Sequence, residues 1–477
     1  MREILGQLVP ELCTVGAALV VVLADLIHPR GGRRWLGWLT GLLAAALVAL
    51  YAGRWEALAR PVPLWDGVLV LDRLGLTFKV LFALAVGIAG LGSVEFAAAR
   101  FRHVGEYYGL LFFSAAGMAL MASAGDLLTL YLGLELASLS LYALTAYAKT
   151  SPRSGEAGLK YLVLGATASA TYLYGASLVY GTMGTTLFAT VGQRVAWEGM
   201  SPGLAVGGLL VLAAFGLKIA AVPFHMWAPD VYQGAPTPVT GFLSTASKAA
   251  GFAALMRVFL GPLLSGAGSW VVIVAALSAL SMVVGNLLAL PQHDIKRMLA
   301  YSGIAQAGYA LVGVAASSQL GALATAFFLC QYLFTNLGAF LIVTAVGTTM
   351  GDDQISSYHG LSRRNPGLAL ALLVLLLSLG GIPPLSGFWG KLFVFWAGVQ
   401  SGLYGLVLLG VLASVLSLYY YLMVARAMYI EPAGDRPPVA IGGGLLIAVV
   451  VCVLVVVGLA YPQGLFALAR GAAQALF

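Results

Sequence analysis

Apolar residues fill this chain in blocks of about twenty, separated by short connections that hold most of the arginines, prolines and acidic residues. A helix of that length just crosses the hydrocarbon of a bilayer, where every backbone amide has to be paired within its own segment. Fourteen blocks are predicted as spans, at residues 8–27, 35–52, 74–94, 107–123, 126–148, 157–181, 204–228, 237–260, 269–290, 297–315, 319–347, 367–399, 402–429 and 440–461. They leave no room for a separate soluble domain. The expected fold is an all-α, polytopic membrane protein.

Composition agrees with the pattern: 61% of residues are hydrophobic and 9% charged. Charge adds sidedness. The first block is not read as a cleaved signal, because Glu3 and Glu11 stand where basic residues belong and Arg30, Arg33 and Arg34 follow it. Alternate connections collect the remaining cations unequally. Residues 30, 33, 34, 100, 102, 149, 153, 160, 296, 297, 363, 364, 426 and 436 fall on one side, and 2, 54, 60, 73, 194, 257 and 470 on the other. The richer side is expected in the cytoplasm, with both termini on the outer, periplasmic side. The net charge of +7 is then a topology signal, and nucleic acid is not an expected partner. Cys13, Cys330 and Cys452 are far apart in apolar helices, and no CxxC or paired helical histidines occur. No metal or cofactor site is therefore expected in this chain.

Two blocks are interrupted by proline. FGLKIAAVPFHMWAPDVYQGAPTP breaks at Pro223, and LSLGGIPPLSGFWGKLFVFW breaks at Pro383 and Pro384. Pro223 and Pro383 are 160 residues apart, and a weaker echo pairs Tyr142 with Tyr309 at 167. Five helices separate corresponding elements, so the halves insert with opposite orientation. The expected divisions are 1–106 (three helices), 107–260 and 261–430 (two inverted five-helix repeats, each containing a broken helix) and 431–477 (a last span). Paired broken helices in inverted repeats point to a transport site. Proline removes a donor, so Pro223 frees the carbonyl of Ile219, while Pro383 and Pro384 free those of Leu379 and Gly380. A kink used only for packing is the simpler alternative.

Four of the seven lysines lie inside apolar blocks: Lys79, Lys218, Lys248 and Lys391. Arginine keeps its proton in any protein environment, whereas a desolvated lysine can give its proton up. Ionisable groups at bilayer depth usually mark ion or proton pathways. Glu135, mid-block in LLTLYLGLELASLSLYAL, is expected to face Lys218, so that opening and closing the pair switches Lys218 between holding and releasing a proton. A static ion pair is the alternative. Lys248 follows Gly241, Ser244 and Thr245 on one helical face and is read as a central relay. Lys391 follows the second break and would serve the second half, unless it snorkels. Lys79 is expected to reach an interface, and Asp25 to anchor a helix end near Arg30. His225 is a candidate relay beyond the break, and Tyr142, Tyr309 and Gln306 are candidates for ordering water.

The run from Lys218 to Arg257, KIAAVPFHMWAPDVYQGAPTPVTGFLSTASKAAGFAALMR, resembles the signature of the antiporter-like subunits of respiratory complex I (NADH:quinone oxidoreductase). HDIKRMLAYSGIAQAGYALVG, at 293–313, is a second match, and PDVYQGAPTPVT, Pro229 to Thr240, resembles the subunit N branch rather than L or M. The resemblance runs from about 107 to 430. It implies a proton-translocating module of the membrane arm in the bacterial cytoplasmic membrane. It also implies a polar axis of one glutamate in the fifth helix and lysines in the seventh, eighth and twelfth, places held by Glu135, Lys218, Lys248 and Lys391. NADH, flavin, iron–sulfur clusters and quinone would belong to partner subunits, and the neighbours would be other antiporter-like and small membrane subunits within the bilayer. The long lateral helix of subunit L has no counterpart after the fourteenth block. A multi-subunit cation/proton antiporter, which shares the fold, and a passive membrane-arm scaffold are the other two readings.

Overall fold

Each of the fourteen apolar blocks contains helix in the computed structural model, which describes residues 2–28, 33–261, 263, 267–459 and 461–477. Among the described residues, eleven helices are long and apolar enough to cross a membrane unaided. The remaining three blocks are pieced or short. Thr237–Phe242 and Lys248–Phe259 are joined through a π turn, Leu243–Ser247. Pro366–Gly380 and Ser386–Gln400 flank the second break, and Gly443–Gly458 is a single shorter helix.

Ile295–Ala315 and Gln319–Met350 are almost wholly buried and form the axis of the bundle, while Leu8–Ile27 and Trp270–Ala289 lie at its edge. Small residues permit the closest crossings. Gly117 and Gly133 face each other between Val104–Ser123 and Leu127–Thr145, and a β-carbon on Gly117 would sit 2.3 Å from the Ala137 amide nitrogen. Helices in lipid associate through this kind of backbone approach.

Connections expected to share a side do meet. On the arginine-rich face Lys160 Nζ and Arg297 Nη1 both donate to Asp230, at 2.8 and 2.7 Å, and Gln233 donates to Asp294 at 2.9 Å. On the opposite face Leu69 bridges to Ala124 and Asp126 to Leu187, and Arg257 pairs with Asp72 at 2.7 Å. Arg30 lies outside the described residues. Asp25 does anchor a helix end, accepting from the Gly105 amide at 2.9 Å and lying 3.6 Å from Arg33.

Three elements depart from a purely spanning design. Val62–Leu64 and Leu69–Leu71 form a short antiparallel hairpin on the arginine-poor face, turned by Trp65 and Asp66 at positive φ. Phe188–Glu198 is an amphipathic helix on the same face, and Trp197 on it is almost fully exposed. After the fourteenth block Gln463–Gln474 folds back, setting Phe466 against Phe393 with ring centroids 5.1 Å apart. Strands of three residues and half-apolar helices are too short to stand out against twenty-residue blocks.

Candidate functional site

The first break is made by the chain turning left-handed before the proline. Pro202–Ile219 stops at Ala220, at φ 58°, and the Trp227 indole returns to cap the Leu217 carbonyl at 2.9 Å. Lys218 is therefore held, buried, at the last turn of a half-helix inside the bundle. Its Nζ donates to Ser138 Oγ at 2.8 Å. Its stem lies against Gly251, where a β-carbon would be 3.3 Å from Lys218 Cγ.

Glu135 lies in the neighbourhood of Lys218, as the sequence suggested, but not in direct contact with it. Its carboxylate accepts a hydrogen bond from Ser169 on Pro152–Met183, and it makes no ion-pair contact with Lys218. The reason is local. Ser138 lies three residues beyond Glu135 on the same helical face, so its hydroxyl reaches the amine while the acid turns to the neighbouring helix. Ser138, rather than Glu135, is the polar contact of Lys218, and Glu135 is held by Ser169.

Lys248 begins the helix that follows the π turn. Such turns re-aim side chains and gather at functional positions. Its Nζ donates to the Gly303 carbonyl at 2.6 Å and lies 5.9 Å from the Tyr232 ring centre. Gly303 makes the room: a β-carbon there would sit 3.0 Å from both Lys248 Nζ and Tyr332 Oη. Ser244, one turn before Lys248, accepts from Asn336 at 2.8 Å.

The carbonyls released at the second break are all taken up. Gln306 Nε2 donates to Leu379 O at 3.0 Å, and Lys391 Nζ and Ser414 Oγ donate to Gly380 O at 3.0 and 3.2 Å. Lys391 also donates to Ser414 Oγ at 2.8 Å and lies 4.6 Å from the centre of the Tyr309 ring. It is buried rather than snorkelling. A cavity of about 300 Å³ beside it is lined by Gly380, Ile382, Ser414 and Leu418.

These contacts join up. Gly303, which holds Lys248, is one helical turn from Gln306, whose amide reaches Leu379 beside the carbonyl that holds Lys391. A second polar line runs from Tyr309 through residues the sequence reading did not single out: Asn286 donates to Tyr309 Oη at 3.1 Å, Tyr420 donates to Asn286 at 2.9 Å, and the Ser302 and Tyr421 hydroxyls are hydrogen-bonded to each other. Their only signal in the sequence was polarity inside apolar blocks, shared by many side chains that merely bond their own helix.

Lys79 and His225 fall outside this line, while Tyr142 lies beside Ser138 at its Lys218 end. Lys79 does not reach an interface; it is buried and bonded to Glu11 on the first helix. The two are 68 residues apart, so no local pattern links them. His225 is half-buried in the turn after Pro223, its Nδ1 without a protein partner. Tyr142 sets its ring edge-on to Tyr161 at 4.7 Å, with its hydroxyl against Gly165. On the arginine-rich face, burial tends to raise the Asp230 carboxyl, but hydrogen bonds from Lys160 and Arg297 bring it below its ordinary value. Burial pushes the Asp353 carboxyl up, with Lys296 3.6 Å away offsetting only part of it. Among the described residues no group of acidic, histidine or cysteine side chains is arranged to hold a metal ion.

A broken-helix bundle with buried amines strung between its breaks defines a class of membrane ion-translocating modules. The family model described as "NADH:quinone oxidoreductase/Mrp antiporter, TM" matches residues 124–417, and the chain belongs to that family. NADH-quinone oxidoreductase subunit N of Moorella thermoacetica is 44% identical over 476 residues, covering 99% of each chain. A chain of respiratory complex I from Thermus thermophilus has 35% identity and a TM-score of 0.78, with 94% of this chain and 97% of that one covered. A chain of the Mrp complex from Dietzia sp. has the same fold, with a TM-score of 0.86 at 22% identity, covering 98% of this chain and 97% of that one.

Proposed function

We propose that this chain is a proton-translocating subunit, of the subunit N type, in the membrane arm of a bacterial NADH:quinone oxidoreductase, and that its own residues carry protons and no electrons. NADH, flavin, iron–sulfur clusters and quinone belong to partner subunits. The arginine-rich face lies in the cytoplasm and both termini on the periplasmic side of the inner membrane. Residues 107–260 and 261–430 act as opposed halves around the amine line. The observation that carries this reading is the set of buried amines between two helix breaks: Lys218 packed on the helix of Lys248, and Lys248 connected through Gly303 and Gln306 to the carbonyls at Lys391.

The working cycle starts from the arrangement in which Glu135 is held by Ser169. A signal from quinone reduction moves Glu135 toward Ser138 and Lys218, where opposite charges about 4 Å apart attract by roughly 4 kcal/mol at an effective dielectric of 20. Lys218 then holds a proton taken up from water. Return of Glu135 to Ser169 withdraws that attraction, and the proton passes toward Lys248 and on to Lys391. Moving one charge against the membrane potential needs about 2.3 kcal/mol per 100 mV, which the pair can supply.

A tagged copy of the chain is expected to purify with partners that oxidise NADH with a quinone acceptor. Purification in a complex with no NADH oxidation would favour the cation/proton antiporter reading instead. Gly303→Ala gives a finer test, because its new methyl meets only the flexible ends of Lys248 and Tyr332. Assembly should be normal while NADH-driven proton uptake by inverted vesicles falls several-fold. Unchanged uptake would remove the Gly303 carbonyl from the path.

A further inference from the structure

The amine line proposed above gains a second entry if Lys248 can also be reached from the arginine-rich face, and a polar cavity opens there. The cavity, of about 210 Å³, lies among the connections of that face, lined by Arg100, Arg153, Gln233, Lys296 and Asp353, with Thr237 and Thr344 at its walls. Thr237 starts the helix segment that leads to Lys248, and Thr344 is on the last turns of Gln319–Met350. These two helices run inward side by side.

Deeper along the same pair lies a second polar region. Ser244 and Asn336 are bonded to each other, and Tyr332, one turn beyond Asn336, reaches the space at Gly303 that Lys248 occupies. Three buried polar atoms here have no protein partner: Asn336 Oδ1, Tyr232 Oη and Tyr332 Oη. Buried oxygens of this kind are satisfied by water, given room and several polar neighbours.

Between the two regions the lining is apolar apart from Thr240, which is buried with its hydroxyl donated to the Tyr232 carbonyl at 3.0 Å. Phe340 is four residues from Thr344 on one side and four from Asn336 on the other, and it is fully buried. Gly241 faces it across the interface, where a β-carbon would be 3.0 Å from Phe340 Cβ and 2.9 Å from Leu337 Cδ1. The Tyr232 ring closes the layer edge-on, with centroids 6.4 Å apart. An apolar layer of one ring's thickness excludes water until a side chain turns, and such constrictions gate by dewetting.

We propose that Phe340, packed against Gly241, Leu337 and Tyr232, is a dry gate between the polar vestibule of the arginine-rich face and the hydrated chamber around Lys248. Rotation of the ring joins Thr344 to Asn336 and lets Lys248 be reprotonated from that face; return of the ring shuts the path while the proton moves on. Phe340 bears no proton itself and acts as a positioning residue.

Cysteine accessibility in the assembled complex tests this without relying on pumping, so it can fail while the role of Lys248 stands, or hold if that role fails. Thr344→Cys and Ser244→Cys are made separately, each with Phe340 intact and with Phe340→Ala. Membranes are treated with a small water-soluble methanethiosulfonate, and modification is scored on this chain's peptides by mass spectrometry. The expected result is prompt labelling at 344 in both backgrounds, and labelling at 244 that is roughly tenfold or more faster in Phe340→Ala. Equal rates at 244 in the two backgrounds, fast or slow, would overturn the gate, and an unreactive 344 would overturn the vestibule. Should Phe340→Ala not assemble, Phe340→Val reads out the same comparison at smaller amplitude, and equal rates there overturn the gate as well.

Discussion

With Lys218→Arg, the assembled complex is expected to keep its charge at that position and lose proton translocation through this subunit. The ordinary pKa of arginine is two to three units above that of lysine, which slows proton release by roughly a hundredfold or more. Lys218→Ala should fail to the same degree, since it removes the carrier outright. The comparison separates the two meanings of the Glu135–Ser138–Lys218 cluster. Were it a fixed polar contact, arginine would satisfy Ser138 about as well as lysine does, and pumping would survive. Were it a titrating site, charge alone would not be enough. Quenching of a pH-gradient dye in inverted vesicles, set against the rate of NADH oxidation in the same vesicles, makes the measurement. Normal acidification by the arginine variant would return the cluster to a structural role.

Arg257→Leu is expected to cause the largest loss of stability in the chain. Arg257 is buried beside Asp72, with Nη2 2.7 Å from the carboxylate and Nε donating to the Ala122 carbonyl. Asp72 is itself buried and caps Arg73–Gly92 by accepting from the Gly75 amide at 2.7 Å. Removing the guanidinium leaves a buried carboxylate with no counter-charge, which costs about 3–5 kcal/mol. The chain should then be scarce in membranes, and any purified complex should unfold at a lower temperature. Asp72→Asn in the same chain removes the stranded charge, keeps an oxygen for the cap and should restore a good part of the loss. Equal abundance and melting temperature of Arg257→Leu and the unsubstituted protein would show that water reaches this pair.

The spans, their alternation between two faces and both breaks were legible because each is a local property of the chain. Twenty apolar residues, a proline inside them and an excess of arginine at alternate ends can be recognised without knowing what packs where. The carbonyls of Leu379 and Gly380 could even be named in advance, since proline removes one defined donor, and the structure supplies Gln306 and Lys391 to them. What was not legible depended on which faces meet. Ser138, rather than Glu135, meets Lys218 because of helix rotation, and the serine hydroxyl had no mark to distinguish it from Ser140, which bonds its own helix at Leu136. The π turn before Lys248, in LSTAS, carries no pattern that separates it from an α turn. Lys79 read as superficial because of its place near a helix start, yet the first helix lies across it and brings Glu11 to the amine. The line through Asn286, Tyr420 and Tyr421 joins residues more than a hundred positions apart.

The mechanism rests on amines that change their proton occupancy in a water-poor bundle. Lys248 is the test piece, being central, buried and bonded only to a carbonyl, so that its removal strands no carboxylate. The number of protons moved per NADH oxidised, measured on the purified complex in sealed liposomes with Lys248→Leu, addresses the claim directly. A lower ratio than that of the unsubstituted complex is predicted. An unchanged ratio at an unchanged rate of NADH oxidation would contradict it, and would leave the chain as a spacer in the membrane arm.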